Sequence, residues 1–322
     1  MSSTPLVSVV IPCFKATQFI AETLNSLRAQ TFRDFETILV NDGCPDTENL
    51  ERVLEPYQDE IVYLKSGRWA SISESRNNGI LTSQAKYIAL LDADDRWEPE
   101  YLQTLTGVLE SRPDLDLVFP DAIYFGEGAG SWEGLSFMSK NPCADEITME
   151  ELVTRRTSIF ISIMARREAL IRAGLFDPQV PGGEDWDLWM RVRRTGGRII
   201  PVRKPLARYR LRKGSMSADK LDLLRNGLTV CRKHLALPDL PQQERPWFEA
   251  KAAEYQAQQN FVMAKQALYA GRGAEAAELF RKANLVLKNP RLNLAIWALK
   301  IAPGLLHSYV RNRYPTEYSY LH

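Results

Sequence analysis

The chain has 322 residues, 45% of them apolar and 25% charged, enough for one large globular domain plus a smaller appendage. Its formal net charge of +1 gives no bulk electrostatic case for a nucleic-acid or strongly acidic partner. No apolar run is long enough to span a bilayer, because Leu292 to Val310 is broken by Lys300, Pro303 and His307.

The first half alternates short β-rich runs with helical patterns. Val7–Ile11 is a mostly β-branched run ended by Pro12, and Phe19–Leu27 follows with apolar residues at helical spacing. Phe35–Val40 predicts a second strand, closed by Asn41-Asp42-Gly43, and Ile61–Leu64 a third. Ile72–Leu81 predicts a helix, Tyr87–Leu91 a fourth strand, Pro99–Leu109 a helix with Pro in its first turn, and Leu115–Pro120 a fifth strand. Gly126–Asp145 is rich in Gly, Ser and Asn and predicts a loop. Glu184–Arg194 predicts an amphipathic helix, followed by short strands at Ile199–Val202 and Leu206–Leu211.

Beyond Ser217 the composition turns helical, and Glu249–Leu287, interrupted at Gly271-Arg272-Gly273, predicts a helical hairpin. The expected division is therefore an α/β domain over 1–217 and a helical extension over 218–322. Strand–helix alternation predicts a mostly parallel, Rossmann-like sheet flanked by helices. Its strands are nearly all apolar, as strands buried on both faces are. Ligands of such sheets bind beyond the carboxyl ends of the strands. Pro12-Cys13-Phe14-Lys15, Asn41-Asp42-Gly43 and Asp92-Ala93-Asp94-Asp95 all sit at such ends.

Three carboxylates crowd one strand end at Asp92, Asp94 and Asp95. Like charges this close raise one another's pKa, and a hard divalent cation, magnesium or manganese, relieves the repulsion. The alternative is an ordinary solvated turn in which Asp95 caps the next helix. Glu184 and Asp185 follow Gly182-Gly183 and lie in a first helical turn, where negative charge is favourable whether or not it has a further use. Trp186 and Trp189 share a helical face, the pattern of core residues more than of a sugar platform. Arg191–Lys213 holds eight arginines and two lysines with no acid after Arg191, either a solvated basic face or a diphosphate contact through Arg208, Arg210, Arg212 or Lys213. It has few interleaved aromatics, which argues against a nucleic-acid surface.

The only histidines are His234, His307 and His322, so chemistry in the first two-thirds of the chain falls to other groups. No dinucleotide-binding, P-loop or nucleophile-elbow motif follows a strand. Cys13, Cys44, Cys143 and Cys231 form no C-x-x-C pair and are expected to be reduced thiols of a cytoplasmic protein. Met1–Pro5 has no basic region before the first apolar run, so no signal peptide is expected.

Taken in order, Val7–Pro12, Ser26–Thr31, Phe35–Gly43, Arg76-Asn77-Asn78-Gly79, Tyr87–Asp95, Gly174–Asp177, Glu184–Trp189, Tyr209-Arg210 and Gly214–Ser217 resemble the family 2 glycosyltransferases with the GT-A fold. The resemblance covers about Leu6 to Ser217. It implies inverting transfer of a sugar from a nucleoside-diphosphate sugar, usually of UDP, to an acceptor hydroxyl of a glycan or lipid-linked acceptor in polysaccharide synthesis. It also implies roles. Pro12 and Phe14 would border the base, Asp42 would bond it, and Arg76 would help hold the nucleotide. Asp92 would face ribose and metal, Asp94 would ligate Mn2+ or Mg2+, and Asp95 is the second choice. Asp185 would be the general base, with Glu184 beside it. Three positions depart from the family pattern: Lys15 stands where Asn is common, Asn41 where Asp is frequent, and Arg212 where many members have His. An arginine can bind diphosphate but cannot ligate a metal.

The C-terminal residues Ala295, Ile296, Trp297, Leu299, Ile301, Leu305 and Leu306, near Lys300, Arg311 and Arg313, are expected either in a peripheral membrane contact at the inner face or packed on the catalytic domain or a second copy in a homo-oligomer. A nucleotidyltransferase making sugar nucleotides is the alternative enzyme, although it usually has a Gly-rich basic loop after the first strand. A non-catalytic scaffold of the same fold is the alternative outside enzymes.

Overall fold

The structure, a computed structural model, describes residues 4–67, 71–212 and 219–301. Strand β1 (Val7–Cys13) is buried at every position. It is flanked by β2 (Phe35–Asn41) after helix α1 (Ile20–Arg28). Helix α2 (Thr47–Leu54) leads to the edge strand β3 (Ile61–Lys65). Helix α3 (Ile72–Thr82) returns the chain to β4 (Tyr87–Leu90) on the other side of β1. These four strands run parallel, as apolar runs separated by helices require.

The two-residue strand β5 (Arg96–Trp97) and helix α4 (Tyr101–Ser111) precede the long strand β6 (Leu117–Phe125). Between Gly126 and Asp145 the expected loop contains a short helix, α5 (Phe137–Lys140). Helix α6 (Met149–Thr154) starts on a capping box, Thr148 with Glu151. Strand β7 (Met164–Arg166), helix α7 (Arg167–Arg172), helix α8 (Glu184–Arg194) and strand β8 (Ile199–Arg210) follow.

The sheet order is β3-β2-β1-β4-β7-β6-β8-β5. Strand β7 runs against both neighbours, and β5 runs against β8. This mixed, helix-flanked α/β sheet is the GT-A arrangement. The two short strands expected at 199–202 and 206–211 form one strand, because β8 stays paired to β6 through a register shift at Pro120–Ala122. Strand β7 carries no sequence signal of its own, since three residues are too few to show periodicity.

The chain divides into two compact units, Met1–Ala218 and Asp219–His322. The second unit is helical over its described residues: α9 (Lys220–Leu235), α10 (Arg245–Tyr269), α11 (Gly273–Leu287) and α12 (Pro290–Ile301). The hairpin turn falls at 270–272, where Gly271 takes φ 78°. Ala264, Ala267, Ala276, Phe280, Leu292 and Leu299 form its core. No helix among the described residues is long and apolar enough to cross a membrane.

Candidate active site

The carboxyl ends of β1 and β2 lie side by side, with Cys13 opposite Asn41. The Asp42 amide donates to the Cys13 carbonyl at 3.1 Å, so Asp42 sits directly over the end of β1 and is 3% exposed. Pro12 is buried and Phe14 half-buried beside it. Asn41 has a local task. Its Nδ2 donates to Thr47 Oγ1 at 3.0 Å and Tyr63 Oη at 2.7 Å, while its Oδ1 accepts the Cys44 amide at 2.9 Å. A neutral amide serves both donor and acceptor positions, which an aspartate at 41 would not. Lys15 adopts φ 52° and its amide points at Cys44 Sγ.

The carboxylate turn follows β4. Asp92 is half-buried, and Asp94 accepts from Arg212 Nε at 2.6 Å. Burial, then the Asp92 charge, pushes the Asp94 carboxyl above its ordinary range, against the pull of Arg212. Asp95 is turned inward. It is 1% exposed, its Oδ1 accepts the Arg210 amide at 2.8 Å, and its Oδ2 has no hydrogen-bond partner among the described residues. Burial and the Asp94 and Asp92 charges push Asp95 far up, toward its neutral form. Asp95 thus ties the turn to β8, and only Asp92 and Asp94 of the three acids face outward. Thr23 Oγ1 holds the same turn from α1 through the Ala93 and Asp95 carbonyls, at 3.0 and 2.8 Å.

Arg76 joins this turn to α8. Its Nη2 donates to Asp92 Oδ1 at 2.8 Å and its Nη1 to Glu184 Oε1 at 2.6 Å, with 2% of the residue exposed. Residues 92 and 184 therefore meet across one guanidinium. Two further residues of the Arg-Asn-Asn-Gly motif, Asn77 and Gly79, are accounted for by packing. Asn77 Nδ2 donates to the Phe176 carbonyl at 2.8 Å, and its Oδ1 accepts the Phe176 amide at 2.9 Å. A Cβ on Gly79 would lie 2.4 Å from Val10 Cγ1, so only glycine lets α3 lie this close to β1. Asn77 pins the Gly174–Phe176 turn, which leads into α8, and sequence reasoning assigned it no separate task.

Helix α8 opens on Gly183 at φ 75°, a left-handed cap that favours glycine. Glu184 is 6% exposed. Asp185 Oδ1 accepts the Trp186 amide at 2.6 Å. Burial, reinforced by the adjacent Glu184 charge, pushes the Asp185 carboxyl up to about 6. Asp187 is fully buried and paired to Arg191 at 2.8 Å. Trp186 donates Nε1 to the Leu152 carbonyl at 2.7 Å, and Trp189, 1% exposed, lies edge-on to Phe176. Both tryptophans are core, as their spacing predicts.

The basic stretch separates into distinct partners. Arg198 pairs with Asp114 and Glu146, Arg203 with Asp145, and Arg208 with Glu98. Arg210 donates to the Asp94 carbonyl at 2.7 Å and Glu22 at 2.8 Å. Arg210 and Arg212 are the members of this stretch that bond the carboxylate turn, at the Asp94 carbonyl and carboxylate. Lys213 and the Gly214–Ser217 segment lie outside the described residues. No group of three or more His, Cys, Asp or Glu is gathered as a metal cage among the described residues. A small divalent ion is commonly held by one or two carboxylates plus substrate phosphates, and Asp92 with Asp94 fits that arrangement.

The family profile described as Glycosyl transferase family 2 matches residues 8–175, just over half of the chain. The chain belongs to glycosyl transferase family 2. An uncharacterized glycosyltransferase of Methanocaldococcus jannaschii is 26% identical over 211 residues, 64% of this chain and 71% of the relative. The amylovoran biosynthesis glycosyltransferase AmsB of Erwinia amylovora is 30% identical over 217 residues, 63% of this chain and 69% of that one. The match spans only 31% of the length of a Rickettsia conorii relative. Among solved structures, S. aureus TarS with UDP-GlcNAc superimposes with TM-score 0.62 at 16% identity, over 97% of this chain and 93% of that one. A mannosyltransferase from Pyrobaculum calidifontis with GDP-Man and Mn2+ gives TM-score 0.62 at 17% identity, over 98% of this chain and 89% of that one. At such identities the likeness shows the shared GT-A fold.

Proposed function

We propose that the chain is an inverting, metal-assisted glycosyltransferase that moves a sugar from a nucleoside-diphosphate sugar, preferentially of UDP, to a hydroxyl of a glycan or lipid-linked acceptor in polysaccharide synthesis. The observation that carries this reading is the Arg76 bridge. It holds Asp92 at the strand end and Glu184 at the start of α8 within one hydrogen-bonded cluster, 2.8 and 2.6 Å from the same guanidinium. The solved neighbours that hold UDP-GlcNAc and GDP-Man support the donor class, and the amylovoran biosynthesis relative supports polysaccharide synthesis.

Pro12, Phe14 and Asp42 receive the base, Asp42 at the floor of the β1–β2 edge. Asp92 and Asp94 hold Mn2+ or Mg2+ together with the donor diphosphate. When bound, that ion offsets the charge growing on the departing diphosphate. Arg212 now bonds Asp94 at 2.6 Å, and it balances negative charge at the same place. Arg76 holds Asp92 and Glu184, and through Asp92 it helps to hold the nucleotide. Asp185 accepts the acceptor hydroxyl's proton. Its carboxyl ionises at about 6, so it is charged at neutral pH and still basic enough to take a proton. Glu184 keeps that value high through its charge. Cys13, Cys44, Cys143 and Cys231 are all free thiols, in keeping with a cytoplasmic site of action.

The test is release of nucleoside diphosphate from a panel of UDP- and GDP-sugars with and without MnCl2, paired with calorimetric nucleotide binding. Asp185→Asn should lower turnover by roughly 10²–10⁴-fold while leaving UDP binding intact. Near-normal turnover in Asp185→Asn would remove the base assignment. Pyrophosphate release from a nucleoside triphosphate would replace the reading with nucleotidyl transfer.

A further inference from the structure

Helix α12 is apolar on two opposite faces. One face, Leu292, Ile296 and Leu299, packs on the α10–α11 core, with Leu292 and Leu299 buried. Of the C-terminal apolar residues, Ile296 and Leu299 therefore point inward. The other face repeats at i, i+3 and i+7 as Leu294, Trp297 and Ile301, which are 69%, 65% and 63% exposed. A tryptophan and two large aliphatics aligned on one stripe are an unusual expense of solvent-exposed apolar surface on a monomer. At 100° per residue, Arg291 and Lys300 fall on the two flanks of that stripe.

Charge identifies what covers it. From Ala283 to Ile301 the chain carries Lys288, Arg291 and Lys300 and no Asp or Glu, Arg281 and Lys282 being paired to Glu278. Two copies of so basic a segment repel when brought face to face, which disfavours a second copy of the chain as occupant. An anionic lipid surface satisfies both features. Trp297, Leu294 and Ile301 enter the boundary between headgroups and acyl chains, and the flanking basic side chains reach lipid phosphates. We propose that α12, through Leu294, Trp297 and Ile301 with the basic residues around them, is a peripheral anchor for anionic membranes. Leu305, Leu306, Arg311 and Arg313 lie outside the described residues and carry no part of the proposal. The inference rests on the helical unit alone and is independent of the transfer reaction.

The test is sedimentation of the full chain with vesicles of phosphatidylcholine alone or mixed with phosphatidylglycerol, alongside analytical ultracentrifugation without lipid. The expected result is binding to the anionic vesicles only, weakened as salt is raised. Leu294→Gln/Trp297→Gln/Ile301→Gln should abolish it. Lys288→Gln/Arg291→Gln/Lys300→Gln should weaken it by at least about tenfold. All six positions are solvent-exposed, and an unchanged thermal melt confirms that each variant folds. No binding of the parent chain to anionic vesicles at low salt overturns the proposal. So does a concentration-dependent dimer that the apolar triple variant alone dissolves, because the stripe is then a protein interface.

Discussion

Arg76→Met keeps most of the side-chain volume and removes the charge that two carboxylates share. Glu184, with a side chain 9% exposed, loses a partner 2.6 Å away. Asp92, with a side chain 28% exposed, loses one at 2.8 Å but keeps access to water. Removing one member of a buried ion pair costs about 3–5 kcal/mol, because the charge left behind is uncompensated. Water at Asp92 screens its share, so the lower end, about 3 kcal/mol, is expected. For a unit of roughly 200 residues, about 2–4 °C is lost per kcal/mol, a fall in Tm of roughly 6–12 °C. Urea unfolding at pH 7 followed by circular dichroism measures it. The loss should shrink as pH falls. In the variant the destabilisation comes from uncompensated negative charge, so it is present at high pH and goes once the carboxylates are protonated. Arg76→Met/Glu184→Gln should recover much of the stability, because the buried charge has gone. A variant within about 0.5 kcal/mol of the parent, or a double variant worse than the single, would show that the bridge does not hold the site together.

The acid limb of nucleoside-diphosphate release should lie near pH 6, the value to which burial and Glu184 push Asp185. Rate rises as pH passes upward through that value, since the base must be ionised. Glu184→Gln removes the repulsion and should shift the limb to lower pH, which a pH–rate profile reads directly. Arg212→Gln frees the Asp94 oxygen bonded at 2.6 Å and should tighten Mn2+ binding to the donor-free chain by several-fold in titration calorimetry. Unchanged affinity would mean that the guanidinium and the ion do not compete. Gly79→Ala drives a methyl to 2.4 Å from Val10 and should lower stability by about 1–3 kcal/mol in urea unfolding.

The parallel half of the sheet was legible in the amino-acid sequence because β1, β2 and β4 are buried runs whose apolar continuity is a local signal. The acids at their ends were legible for the same reason, since a strand end is marked by the residue that breaks the run. Helix α8 was legible from its glycines and first-turn acids. Strand β7, helix α2 and the continuous β8 were not, being too short or set by pairing to a distant strand.

What sequence by itself determined here is composition and periodicity: the doubly covered strands, the helical second unit and the acidic turn at 92–95. What only the tertiary structure decided is which charges meet. Arg76 finds Glu184 108 residues away, Arg212 finds Asp94 at a separation of 118, and Asp95 turns inward while Asp94 faces out. Composition and periodicity do not distinguish Arg212 from Arg203, or Asp94 from Asp95; the family resemblance ranked them, and packing gave each its partner. Periodicity encodes burial within one element, whereas the partner of a charge and the pKa it acquires depend on elements brought together only by packing.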